Sequence, residues 1–172
     1  MWLVEIIDAV TPGSFLDGFG IVARSPSGLI GIVCAPFLHG DFKHLAGNSI
    51  PFIVLGGLVL LSGRAKFIEV FVISALSAGI GTWVFAAPGS LHIGASGVVF
   101  GFLGFLLLRA WFGRRIGWIL IAAVAALLYG GLIFTLFRYQ QGISWQGHFF
   151  GFAGGVLAAK WHSDSVAPSG PK

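Results

Sequence analysis

Five stretches of the chain, at positions 44–61, 66–85, 96–112, 116–137 and 146–161, stay apolar over roughly the thickness of a bilayer and carry few charges. A helix that crosses hydrocarbon needs about 20 predominantly apolar residues, with about 17–25 tolerated. Composition points the same way. Of 172 residues, 56% are hydrophobic and 9% charged, and the mean hydropathy is +0.93, far from the balance of a soluble domain. The expected fold is all-α, a polytopic transmembrane helix bundle forming one unit. The links "SGRAK", "AAPGSLHIGA", "GRR" and "RYQQGIS" carry the Gly, Pro, Ser and basic residues of turns. Links this short make consecutive spans antiparallel neighbours.

The beginning of the chain is different. "MWLVEIIDAV" is apolar but holds Glu5 and Asp8 and runs into Pro12 and Gly13; at about 1.5 Å per residue it crosses half the hydrocarbon. Residues 1–13 are therefore expected to form a partial first transmembrane helix, either interfacial or the end of a longer span. Residues 14–43 are too polar to cross and too rich in Leu, Ile and Phe to be fully solvated, so they should lie along one membrane face. Residues 44–162 form the five-helix membrane core. The polar, Pro- and Ser-rich "SDSVAPSGPK", 163–172, is expected to be a disordered tail. One cysteine, Cys34, excludes an internal disulfide and a thiolate metal cluster and is expected to be a small buried apolar residue.

The net charge is +4, but the basic residues sit at helix ends rather than in a stripe between aromatic platforms, which argues against nucleic acid. No basic n-region with an A-x-A-like site opens the chain. If the spans alternate, Arg64, Lys66, Arg109, Arg114, Arg115, Lys160 and Lys172 share one side, seven of the ten basic residues, and Arg24, Lys43 and Arg138 the other. Cytoplasmic loops carry the excess of Lys and Arg. The expected protein is thus a multi-pass cell-membrane protein with its C-terminus in the cytoplasm and its long loop outside.

This orientation brings three polar groups to the same depth below the outer surface. In "HIGASGVVFGF", Ser96 stands between Gly94 and Gly97, which permit a tight turn from loop into helix and leave the hydroxyl uncrowded. Backbone N–H groups at a helix start lack partners and can face a developing oxyanion. His148, in "SWQGHFFGFAGG", opens the last span. Gly147, Gly151 and Gly155 repeat every four residues there, as Gly97 and Gly101 do after the serine. Faces of this kind let two membrane helices approach almost to backbone contact; if these two pack together, Ser96 and His148 come within reach of each other. In "HLAGN", His44 and Asn48 are four apart and share a helix face, where both can donate hydrogen bonds towards one point.

A nucleophile, a base and oxyanion donors at one depth suggest peptide hydrolysis through an acyl-enzyme, with Ser96 attacking and His148 as base. No acid lies at a suitable depth to orient the histidine, so a dyad is expected, with Phe100, one turn below Ser96, holding the imidazole by ring stacking. Each group also has a plain structural reading: a serine bonded back to its own helix, an interfacial histidine, an interhelical amide bond. The sequence holds no H-E-x-x-H motif and no pair of intramembrane aspartates. A zinc site on His39, His44, His92 and His148 is conceivable but short of carboxylate or thiolate company. A transporter would call for paired, interrupted halves, and no internal repeat is present.

The three motifs, "HLAGN", "GASG" and "GHFFGFAGG", in this order across nearly the whole chain, resemble the rhomboid family of intramembrane serine proteases. The resemblance implies a six-helix core with the motifs on its second, fourth and sixth helices, Ser96 as nucleophile, His148 as base, and His44, Asn48 and the Ser96 N–H at the oxyanion. It implies cleavage of membrane proteins, single-span ones above all, within or beside their helices, with small residues near the cut and no cofactor or metal. It also implies a partly mobile fifth helix and a capping loop near residues 134–144. Two departures stand out: the first helix is truncated, and Phe100 stands where many relatives have tyrosine. A relative that has kept the fold and binds transmembrane clients without cutting them is the alternative. The loop "AAPGSLHIGA" is expected to dip into the protein and border a wet cavity, since lipid cannot satisfy irregular backbone.

Overall fold

A computed structural model describes residues 1–11, 13, 15–136 and 144–164, the last two by backbone only. In chain order the helices are α1 (Trp2–Val10), the short α2 (Gly31–Cys34), α3 (Phe42–Leu60), α4 (Arg64–Phe85), α5 (Ser96–Gly113), α6 (Ile116–Tyr129) and α7 (Trp145–Asp164). Two two-residue strands, β1 (Ile21–Val22) and β2 (Leu91–His92), pair antiparallel, Ile21 with His92 and Val22 with Leu91. The result is an all-α membrane bundle with a minimal sheet on one end.

α5 is the centre. It packs against α3, α4, α6 and α7, and Val98, Val99, Phe102, Leu103, Phe105 and Leu106 are all buried along it. Glycine sets how closely α7 approaches. A methyl group at Gly151 would run into the Gly97 carbonyl, and one at Gly155 into the Gly101 carbonyl. On its other side α5 meets α4: a methyl at Gly97 would lie 2.6 Å from Ala78 Cβ. Lipid tails are as apolar as the side chains, so close van der Waals packing, rather than escape from water, holds such helices together.

By length and composition, four helical stretches among the described residues qualify as membrane spans: α3, α4, α5 and residues 116–135. The last of these changes character on the way. The expected 22-residue helix is α-helical only to Tyr129 and continues as a 3-10 helix over Gly130–Thr135, where Gly130 and Gly131 weaken the α-helix. α7 falls outside the four because Gly, Gln, His and Lys dilute it; enclosed by α4 and α5, it has little lipid to match.

The long loop is more ordered than its composition suggests. Residues 16–37 run as 3-10 turns Leu16–Phe19, Pro26–Leu29 and Ala35–Phe37 around β1 and α2. Phe15, Phe19, Leu29, Ile30, Val33 and Phe37 are exposed on it, as a segment lying in the membrane boundary requires. Cys34, expected to be buried, is half-buried. α1 turns Trp2, Leu3, Ile6, Ile7 and Val10 outward and is pinned to α3 by a 3.1 Å hydrogen bond from Trp2 Nε1 to Ser49 Oγ. Its two acids face inward; Asp8 Oδ1 accepts the Leu16 N–H at 2.6 Å. The expected tail falls mostly outside the described residues, although α7 runs on to Asp164.

Gly151→Ala should destabilise the bundle by about 1–3 kcal/mol, as overpacking against backbone does. Gly57→Ala, at a helical position where a methyl meets nothing within 4 Å, should be neutral or stabilise by up to about 1 kcal/mol. Thermal unfolding of both variants in detergent reads the contrast.

Candidate active site

Ser96 is the first residue of α5. Gly94, at φ +116°, makes the turn before it, a backbone conformation that a side chain would strain. Ala95 caps the helix, and its carbonyl takes the N–H groups of Val98 and Val99 at 3.0 and 3.1 Å. The N–H groups of Ser96 and Gly97 are left without helical partners. α3 runs alongside: a methyl at Gly94 would lie 2.8 Å from His44 Nε2 and 3.5 Å from Asn48 Nδ2. Asn48 is buried, and its Nδ2 has no hydrogen-bond partner among the described residues. An amide left so is a donor awaiting an acceptor.

His148 lies in the first turn of α7, brought to the level of Ser96 by the α5–α7 contact. The imidazole is buried and stacks on Phe100 with ring centroids 4.2 Å apart and 21° between planes. Its Nδ1 has no partner among the described residues, so no carboxylate orients the ring there; stacking does. No hydrogen bond joins the Ser96 hydroxyl to His148 among the described residues. Both nevertheless line one cavity of about 250 Å³, together with His44, Asn48, Phe100 and Thr135. Pro51 and Gly47 also border it; Pro51 has no N–H, so the Gly47 carbonyl lacks its helical donor.

A second, smaller cavity of about 40 Å³ adjoins Ser96 from the α4 side, with polar walls at Thr82, His92 and Ser144. That volume holds a water molecule, which needs about 10–15 Å³ and two to four polar partners. His92 is fixed there by a 2.7 Å hydrogen bond with Ser90 Oγ. Ser90 donates its own proton to the Ala87 carbonyl, so it accepts from His92 Nε2, and burial pushes the His92 pKa down. The loop "AAPGSLHIGA" thus borders this small cavity through His92, Ile93 and Gly94.

Two positioning residues were not assigned those roles from sequence. Asp41 caps α3, accepting the His44 N–H at 2.6 Å; an Asp three residues before His44 is the signal that could have found it. His39, weighed above only as a zinc ligand, is 1% exposed and accepts the Ala95 N–H on Nε2 at 3.4 Å, with its ring edge 5.0 Å from that of His44 by centroids. It therefore ties the Ser96 turn to His44 on α3. No group of three or more His, Cys, Asp or Glu among the described residues is placed to hold a metal. Residues 137–143, most of the capping loop expected from the resemblance, lie outside the described residues.

The architecture is that of a multi-pass helical membrane protein with a polar pocket sunk into one end. The sequence pattern of the Rhomboid domain matches residues 26–164, and the chain belongs to the rhomboid family. An uncharacterized protein of Mycobacterium tuberculosis (strain ATCC 25618 / H37Rv) is 42% identical over 168 residues, covering 92% of this chain and 69% of the relative. Another, of Mycobacterium leprae (strain TN), is 41% identical over 167 residues, covering 92% and 66%. The protein YdcA of Bacillus subtilis (strain 168), provisionally named a rhomboid protease, is 32% identical over 122 residues, covering 70% of this chain and 60% of its own length.

Burial, and then the neighbouring His44, push the His39 pKa from 6.5 down to about 4. The unfolded chain therefore binds the extra proton in that window and the folded one does not. The share of stability that depends on His39 should be full above pH 6.5, fall as the pH drops towards about 4, and level off below. His39→Gln, whose amide oxygen can still accept the Ala95 N–H, should flatten that slope in thermal unfolding measured between pH 7 and 4.

Proposed function

We propose that the chain is a serine endopeptidase of the membrane, hydrolysing peptide bonds in or near transmembrane segments of other membrane proteins with a Ser96–His148 dyad. One observation carries the reading: a single cavity is lined by a hydroxyl at a helix start with free N–H groups, by a stacked imidazole, and by two side-chain donors. His148 takes the Ser96 proton as Oγ attacks the scissile carbonyl carbon. The oxyanion then forms beside the Ser96 N–H, Asn48 Nδ2 and His44, donors already oriented and poorly solvated, which is where such stabilisation is strongest. The C–N bond breaks and the amine leaves with the proton from His148. Water from the smaller cavity attacks the acyl-enzyme carbonyl and gives its proton to His148, which returns it to Ser96 Oγ as the ester C–O bond breaks and the acid product leaves.

Phe100 supports the imidazole without a hydroxyl of its own. Neither metal nor cofactor enters this scheme. The excess of basic residues at the other end of the bundle supports a site facing away from the cytoplasm. α6 supports a lateral entrance: only Ala122 and Ala125 are buried along it, and it packs mainly on α5, with little contact to α3. The pocket is bordered by both α3 and the 3-10 turn after α6, and so lies beside that seam.

The missing Ser96–His148 hydrogen bond favours a second reading, a rhomboid-like protein that binds membrane clients without cleaving them. Catalytic hydrogen bonds are often long before substrate closes the site, so activity decides. The purified protein should cleave a single-span substrate and take up a fluorophosphonate, while Ser96→Ala and His148→Ala lose at least about 100-fold in rate. Phe100→Leu should lose about 3–10-fold, the worth of one aromatic stack. Equal cleavage by all these proteins would overturn the dyad; neither cleavage nor labelling by the wild type would leave the binder.

A further inference from the structure

One wall of the larger cavity has a break in its hydrogen bonding. Pro51 lies inside α3, at the position whose N–H would serve the carbonyl of residue 47 in an unbroken helix. Proline brings no N–H, and its ring crowds the carbonyl four residues back. The Gly47 carbonyl, which the helix aims along its axis towards residue 51, is left without that donor. Gly47 and Pro51 both border the cavity, so this oxygen lies on the wall between them. No side chain of its own covers it, and a methyl group built at Gly47 meets nothing within 4 Å beyond its own helix. An acceptor here is costly to leave unfilled, because the hydrocarbon around the bundle offers no donor. Proline is also the residue least suited to a helix interior, so α3 is the less stable for having it there.

The next residue supplies the opposite kind of group. Asn48 is 8% exposed, and its Nδ2 is a donor without a partner among the described residues. It borders the same cavity as Gly47. An unfilled donor and an unfilled acceptor therefore share one space. Peptide backbone is complementary to such a pair, since each residue carries one C=O and one N–H. In a membrane helix both are taken, each C=O by the N–H four residues on. A client whose carbonyl reaches the donors of the pocket must release that N–H. At membrane depth the released N–H needs an acceptor of its own, and the Gly47 carbonyl is one already in place.

We propose that the Gly47 carbonyl is the acceptor for a backbone N–H that a transmembrane client exposes as its helix opens in the pocket, and that Pro51 acts as a positioning residue by keeping that carbonyl free. The ligand is an unwound peptide backbone, recognised by an N–H rather than by a side chain. The proposal rests on the reading of this cavity as the place where membrane clients bind, and it holds for a client that is cut and for one that is only held.

The test measures binding of a synthetic single-span peptide, apolar with small residues towards its outer end, to the Ser96→Ala protein in detergent, where turnover is removed. Analogues of the peptide replace one backbone N–H at a time with an ester oxygen. One analogue should bind about 3–10-fold more weakly than the parent, the worth of one hydrogen bond. Adding Pro51→Ala restores an N–H to α3 that fills the Gly47 carbonyl. That protein should bind the parent peptide about 3–10-fold more weakly and no longer penalise the ester. Its unfolding midpoint should rise by at least about 3 °C, since alanine suits a helix interior and proline does not. Greater stability with weaker binding is the reverse of what a packing role for Pro51 predicts. The proposal is overturned if no analogue binds more weakly than the parent, if Pro51→Ala leaves the parent's affinity unchanged, or if both proteins penalise the same analogue equally. Absence of binding by the parent peptide overturns it too. Should Pro51→Ala fail to fold, Pro51→Val restores the same N–H at a volume nearer that of proline and is read in the same way. If this binding pattern is found while the wild type neither cleaves nor takes up a fluorophosphonate, the protease reading ends and the Gly47 site stands.

Discussion

The contact that the rest of the bundle depends on is backbone against backbone. Where α7 crosses α5, Gly151 and Gly155 leave no room for a methyl group between their Cα atoms and the carbonyls of Gly97 and Gly101. Close packing of this kind lets dispersion hold two helices together in a solvent that gives no hydrophobic reward for association. It also sets register. The residues one turn before these glycines are the ones that reach the outer end, so the spacing that packs the helices also brings Ser96 and His148 to one depth, with Phe100 under the imidazole. A single added carbon on the contact face would separate the helices and tilt that geometry together.

A second constraint follows from placing irregular backbone at membrane depth. Wherever the loop between α4 and α5 is shielded from water its polar groups must be satisfied by protein, and residues 21–39 do that. Ala23 N–H donates to the Ser90 carbonyl, Gly89 N–H to the Ala23 carbonyl, and Gly94 N–H to the Ala35 carbonyl, at 2.9–3.0 Å. The β1–β2 pair and His39 complete the series. α4 joins the same segment through Trp83 Nε1, which donates to the Ser25 carbonyl at 2.9 Å. The long loop before α3 therefore serves as the hydrogen-bonding partner of the turn that carries Ser96.

How much of this was legible in the sequence depended on the range of the interaction. Hydropathy is a sum over many residues, so the helices in the lipid stood out, and the two glycine ladders showed because helical periodicity repeats a signal. α7 was read as a fifth apolar span, yet among the described helices its hydropathy falls short of the other four, as suits a helix that neighbours enclose. Strands of two residues carry no periodicity, and β1 and β2 left no trace. The 3-10 continuation at Gly130 turns on the balance between i+3 and i+4 bonding, a difference too small for a pattern of apolar residues to reveal. His39 illustrates the remaining gap. A buried histidine reads as a possible ligand until the structure gives its nitrogen an N–H to accept, and that donor, on Ala95, is 56 positions away.

The uneven burial of the helices has a mechanical consequence. α5 and α7 are locked by backbone contact and α4 is tied to the outer loop, so displacing any of these would break close packing or leave polar backbone unpaired. α6 is under neither constraint. It shows Ile116, Ile119, Leu120, Val124, Leu127 and Leu128 to the surroundings and gives way to a 3-10 turn, more tightly wound and with poorer hydrogen bonds, where it reaches the pocket. Lipid can replace the few contacts it would give up by moving, since hydrocarbon packs against Leu and Ile whichever partner supplies it. The bundle thus combines a rigid wall, which carries Ser96 and His148, with one helix that has fewer contacts to lose and lies beside the same cavity. A segment that must enter a membrane-embedded pocket from the side, rather than from water, would meet least resistance there.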